Sequence, residues 1–200
     1  MSRLLVFRVA IWALSLGVLG RLVWLGFHAG LGPNPVEFIE HYTGEWALRL
    51  LLLTLAMTPI RQLTKWQEPI RVRRLTGLWA FAFVCLHFAA YLTFDLGFSP
   101  IQLGRDLVKR TYITIGFAAW LLLLPLAITS TQGWQRRLKR RWKQLHKAVY
   151  AAAILGAVHF IWLVKADLRE PLIYAAILAV LLGWRVPWQK LRKPASAAPA

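Results

Sequence analysis

The chain has 200 residues, of which 58% are hydrophobic and 11 are tryptophan, and its mean hydropathy is +0.50. Those values exceed what a soluble core of this size holds, so an ordinary soluble domain is excluded. The formal charge of +17 would suit nucleic acid on a folded soluble surface, but here the basic residues cluster between long apolar runs; the charge marks membrane topology, and no nucleic-acid partner is expected.

A helix crossing a hydrocarbon core of about 30 Å needs roughly 20 mostly apolar residues. Six stretches approach this, near 9–27, 44–60, 76–94, 112–129, 147–164 and 172–188. The first follows a charged start, MSRLLVFRV, without a convincing small-residue cleavage site, and reads as an uncleaved span. The second carries Arg49, whose head is expected to reach for the interface. The third, LWAFAFVCLHFAAYLTF, holds Cys85 as a packed thiol and His87. The segments HAGLGPNPVEFIEHYTGE and FSPIQLGRDLVKR read as outer loops, and the basic stretch after the fourth span as an inner one. The sixth span ends at Trp184-Arg185-Val186-Pro187, an interfacial anchor, and the tail KPASAAPA reads as disordered. No internal repeat is visible.

Orientation follows from the Lys/Arg bias. Most of the 25 basic residues fall before the first span, in the second-to-third loop, in the fourth-to-fifth loop and in the tail, and of the eight acids only Glu68 joins them. The expectation is an all-α integral membrane protein, a bundle of six transmembrane helices with both termini cytoplasmic: residues 1–190 form the membrane domain and 191–200 a cytoplasmic tail.

Of the five histidines, His87 and His159 fall inside spans, both in the outer half of the membrane. A polar ring there is costly unless bonded, and intramembrane ionisable groups are commonly functional. Two neutral imidazoles facing each other across a bundle are the axial ligands of a b-type haem, which needs no covalent Cys-x-x-Cys-His attachment. Small residues near them, Ala89 and Ala90 on one helix and Ala151, Ala152, Ala153, Gly156 and Ala157 on the other, would leave room for a flat macrocycle, although they also serve ordinary helix packing. His146 lies thirteen residues before His159, about 20 Å lower, at the cytoplasmic edge, where a second haem would complete a ladder. On a straight helix those two rings point roughly 140° apart, so a distortion, placed near Gly156, or haems at different azimuths are required. The third span offers no histidine opposite His146; Arg73, fourteen residues before His87, is the candidate partner there, as an unusual axial ligand or a propionate contact. His28 and His41 belong to the outer loop.

At these residues the sequence resembles the ferric-reductase-like transmembrane family and, within it, the haem-binding membrane subunits of periplasmic protein-methionine-sulfoxide reductases. The stretches that carry the likeness are GPNPVEFIEHYTGEWAL, RVRRLTGLWAFAFVCLHFAAY, TSTQ at 129–132, RWKQLHKAVYAAAILGAVHF and PLIYA at 171–175. The resemblance implies haem ligation by His87 and His159, with His146 the third family-type histidine and Arg73 standing where larger relatives place a fourth. It further implies electrons drawn from the quinone pool in the bacterial inner membrane. They pass to a periplasmic molybdopterin-containing subunit, in a heterodimer that repairs oxidised methionines of envelope proteins. FMN is implied by the resemblance alone, since no Gly-rich phosphate cradle is present.

The chain shows no nucleophile–base pair, metal-binding carboxylate cluster or nucleotide motif, so the expectation is an electron-transfer subunit rather than a self-contained enzyme. Two other readings stand beside it. One is a stand-alone ferric or oxygen reductase fed by a separate cytoplasmic flavin reductase; the other is a small transporter or scaffold whose histidines are structural and bind no haem.

Overall fold

A computed structural model of the chain describes residues 2–164 and 167–186. Every described element is helical: α1 (Arg3–Phe27), α2 (Pro35–Thr64), α3 (Glu68–Ala90) continued by a π turn (Tyr91–Asp95), α4 (Pro100–Lys109), α5 (Thr111–Ile128), α6 (Gln132–Leu145), α7 (Ala148–Leu163) and α8 (Arg169–Gly183). The tail expected to be disordered, and Pro187 of the expected anchor, lie outside the described residues.

Local sequence explains where the helices begin and end. Asn34 caps α2, accepting from the Glu37 amide at 3.3 Å, and Pro35 occupies the first turn, where its missing N–H costs nothing. Lys65, in the left-handed region at φ 60°, ends α2 and sets up the turn into α3. Ser99 and Pro100 start α4 in the same fashion.

Two of these helices fall in segments expected to be loops. α4 has only ten residues, and α6 hides its apolar spacing, Trp134, Leu138, Trp142 and Leu145, inside a basic run. Neither is long or apolar enough for a spanning criterion to register.

α1, α5 and α3 with its π turn are each long and apolar enough to cross a membrane, and α6 with α7 would make a fourth span, bent by 48° at His146-Lys147. The distortion that the two histidines of this segment require is therefore at His146 itself, and Gly156 stays within a regular helix. Large apolar side chains lie outward as well as inward: Val23, Trp24, Ile173 and Val180 are all more than half exposed. That surface suits lipid and would be a liability in water.

α2 is the central helix, packed against α3, α7 and α8. Leu50, Phe83, Ala80, Ala152 and Ala153 are essentially fully buried where these helices meet. Alanines at the contacts let the backbones approach closely, which is how helices associate where lipid is as apolar as leucine.

Two polar features of this core follow from chemistry. Arg49, expected to reach for the interface, is held by neighbours while about a third of its side chain stays exposed. Its Nη2 pairs with Glu45 at 2.7 Å, its Nε donates to the Tyr174 hydroxyl at 2.7 Å, and its guanidinium lies over Trp46, 5.0 Å from the ring centre. Pairing lowers the cost of holding the charge against the bundle. Pro59 lies inside α2 and has no N–H for the carbonyl of Leu55 four residues back. Arg185, beyond α8, donates to that carbonyl and to Leu181, with its guanidinium over Tyr150.

Candidate functional site

Four helices, α2, α3, α5 and α7, enclose a cavity of about 300 Å³, within the range of cofactor pockets. Its deep end is apolar, with Leu51, Leu123 and Ala152; its outer mouth is polar, with Glu40, His41, Asp95 and Arg110. Across its middle stand His87 on α3 and His159 on α7.

The structure brings these two rings together. Their centres are 6.2 Å apart and their planes cross at 74°. Each ring is oriented from behind by a carbonyl: His87 Nδ1 lies 2.9 Å from the oxygen of Glu40, and His159 Nδ1 lies 2.7 Å from that of Tyr112. A carbonyl only accepts, so Nδ1 carries the proton in each ring and Nε2 keeps its lone pair. This is the arrangement of metal-ligating imidazoles, whose second nitrogen donates to a fixed acceptor that sets the tautomer and raises basicity.

The spacing also fits a shared metal. Two imidazoles, each bound at about 2 Å through a nitrogen about 1 Å from its ring centre, place those centres about 6 Å apart. The indole N–H of Trp120, a cavity-lining residue, is buried without a partner, which further suits a ligand in this space.

Two residues that sequence reasoning missed make the arrangement possible. Gly44 on α2 and Gly116 on α5 lie under the rings: an added Cβ would stand 3.1 Å from His87 Nδ1 in the first case and 2.8 Å from His159 Nδ1 in the second. The legible signal was glycine inside an apolar helix, a costly choice that calls for a packing reason. Of the small residues that were singled out, Ala152 and Gly156 do line the cavity, while Ala89 and Ala151 are exposed.

The surroundings of His146 are arranged differently. His146 sits at the break between α6 and α7, its Nε2 3.1 Å from Thr129 Oγ1 and its ring stacked on Trp142 with centres 3.9 Å apart. The Thr129 hydroxyl donates to Pro125 at 2.6 Å, so it accepts from His146. Arg73 is exposed, within electrostatic reach of His146. His41 lines the mouth of the cavity, whereas His28 is exposed and stacked on Trp24.

Beyond the histidines, the mouth is braced by hydrogen bonds. Tyr91, in the π turn, donates to Asp106 on α4 at 2.7 Å, and Asp106 also pairs with Arg110 at 3.5 Å. Arg110, the one Lys or Arg lining the cavity among the described residues, is charged as arginines are, and the nearby Asp106 carboxylate raises its guanidinium further above its ordinary value.

Residues 43–157, which include all of α3 and α5 and most of α2 and α7 but stop short of His159, match the family model described as the ferric reductase like transmembrane component. The chain is 60% identical over 169 residues to the heme-binding subunit MsrQ of protein-methionine-sulfoxide reductase from Xanthomonas euvesicatoria pv. vesicatoria, covering 84% of this chain and 77% of the relative. The chain belongs to the MsrQ family. A member from Xanthomonas campestris pv. campestris is 56% identical over 179 residues, 88% of this chain and 82% of its own. The Bordetella pertussis MsrQ is 47% identical over 175 residues, 86% and 85% of the two chains. No solved structure matches the chain at a significant level. Membership in MsrQ fits an all-helical membrane protein whose site lies between helices.

Proposed function

We propose that this chain is a b-type cytochrome, the haem-binding membrane subunit of a protein-methionine-sulfoxide reductase. It takes electrons from the respiratory quinone pool and passes them outward to a periplasmic molybdopterin-containing catalytic subunit that repairs methionine sulfoxide in envelope proteins. The observation that supports this most is the opposed pair His87 and His159, each with Nδ1 committed to a carbonyl and Nε2 left for a metal. The relatives' names support the haem and the reductase; quinone, molybdopterin partner and FMN come with the family resemblance.

In this reading the chain crosses the bacterial inner membrane six times, with α2 and α8 completing the set and both termini cytoplasmic, as the basic loops require. The charges of α2 are compatible with a span because Arg49 and Glu45 neutralise each other.

Bound between the two imidazoles, haem would supply one-electron redox chemistry. The residues of the chain hold and insulate it. His87 and His159 would hold its iron, and Leu51, Leu123, Phe88 and Phe160 would keep water from the deep part of the cavity. The polar mouth leaves one side of the site open toward the partner.

His146 and Arg73 are proposed more narrowly. For Nε2 of His146 to bind iron it would have to leave Thr129, so one haem per chain is the number this geometry favours, with His146 fixing the inner turn. An inner haem held by His146 and Arg73 is the alternative that stoichiometry tests.

The test is an absorbance spectrum of the detergent-purified protein, oxidised and dithionite-reduced, with pyridine-haem quantitation and assay of released flavin. About one haem per chain, lost on substitution of either His87 or His159, is expected. Two per chain would bring His146 and Arg73 in as ligands, and none in a folded, haem-supplied preparation would leave the transporter or scaffold reading. Reduction by a quinol, rather than only by an added flavin reductase, separates this function from a stand-alone ferric reductase.

A further inference from the structure

The two halves of the site are copies of one another. Glu40, Gly44 and His87 make one clasp, in which a histidine donates to a carbonyl, packs on the glycine four residues after it and lies 47 positions from that carbonyl. Tyr112, Gly116 and His159 make the other, again with 47 positions between carbonyl and histidine. Gly44 to Gly116 and His87 to His159 are both steps of 72 residues.

The same step relates further lining residues: Ala47 and Leu51 on α2 recur as Ala119 and Leu123 on α5, and Phe88 beside one histidine recurs as Phe160 beside the other. Past the leucines the register slips by one, and Thr54-Leu55-Ala56-Met57-Thr58 answers Pro125-Leu126-Ala127-Ile128-Thr129. Leucine runs coincide readily by chance, so the clasp geometry carries the argument and the sequence agrees with it. The repeat escaped sequence reading because most of each copy is interchangeable apolar residues.

α2 and α5 run in the same direction through the bundle, as do α3 and α7. Two such hairpins would make a parallel repeat, related by an approximate two-fold axis between His87 and His159.

We infer that Gly44 and Gly116 are the paired positioning residues of the axial histidines, supplied by two copies of one duplicated hairpin. The inference rests on the haem reading above. Each glycine lets a ring settle close enough to its helix to donate to the carbonyl one turn earlier, and so aims Nε2 at the shared axis. The halves are not equally tolerant. A methyl at Gly44 would need its ring to give by a few tenths of an ångström, while at Gly116 the 2.8 Å approach forces His159 or its helix to move.

The experiment compares G116A, G44A and the control G77A, which lies in the same α2–α3 contact but meets only Thr54 at an ordinary 3.4 Å. Haem per chain, reduced α-band and midpoint potential are measured on each purified full-length protein. Expected is a haem affinity about ten- to a hundred-fold weaker in G116A, as for loss of an outer-shell orienting group. G44A should show a smaller loss with a shifted band or potential, and G77A should match wild type. Wild-type haem content, band and potential in G116A would overturn the inference, as would equal damage in G77A, while leaving the haem reading intact. Absence of haem from wild type would overturn both. Should G116A fail to accumulate, the milder G44A carries the same test, and an unchanged band and potential there would overturn the inference.

Discussion

Arg49 and Tyr174 lie 125 residues apart in sequence and 2.7 Å apart in space. The contact fastens α8 to the middle of α2, and it explains why a tyrosine falls within the otherwise apolar PLIYA. Tyr174→Phe keeps the ring and removes the acceptor. Because Arg49 retains Glu45 and about a third of its side chain is exposed, the expected cost is at the low end for a charged hydrogen bond, about 1–2 kcal/mol. A lowered melting temperature in detergent checks this; an unchanged one would show that the contact contributes nothing to stability.

Arg185 is expected to matter through Pro59. Arg185→Ala leaves the Leu55 carbonyl without a donor, at a cost of about 1–3 kcal/mol. Pro59→Ala restores the backbone N–H that the helix lacks there. In a double-mutant cycle the Arg185→Ala penalty should therefore shrink on the Pro59→Ala background, and additive penalties would mean that Arg185 acts only through Leu181 or Tyr150.

Either cavity histidine alone should be insufficient to hold haem. His87→Ala and His159→Ala are each expected to lose most bound haem while keeping wild-type helicity by circular dichroism, because the removed ring lines a cavity and makes one hydrogen bond to its neighbour helix. Full haem content in both variants would remove the ligand assignment.

At the inner turn the expectation is reversed. His146→Ala takes away a ring stacked on Trp142 and a hydrogen bond to Thr129, so it should lower thermal stability by about 1–2 kcal/mol and leave haem per chain unchanged. Halved haem content would instead show that the inner histidine binds iron.

The sequence carried the helical class, the major apolar segments and the common level of His87 and His159, because span length and the 1.5 Å rise are strong constraints. It did not carry the clasp. Glu40 and Tyr112 contribute only backbone oxygens, which no side-chain pattern announces, and Gly44 and Gly116 act by having no side chain at all. The Arg49 contact was not legible because its partner Tyr174 is distant in the chain. For His146 a distortion was expected near Gly156, and the 48° bend instead falls beside His146 itself, which changes where its ring can point.

The crossing of the His87 and His159 planes at 74° bears on magnetism. Were a ferric haem held by both rings with that crossing kept, their π donation would fall on different iron orbitals, whereas parallel rings would load one of them. The low-spin resonance at liquid-helium temperature would then be strongly anisotropic, and three resolved features would show that binding turns the rings toward alignment.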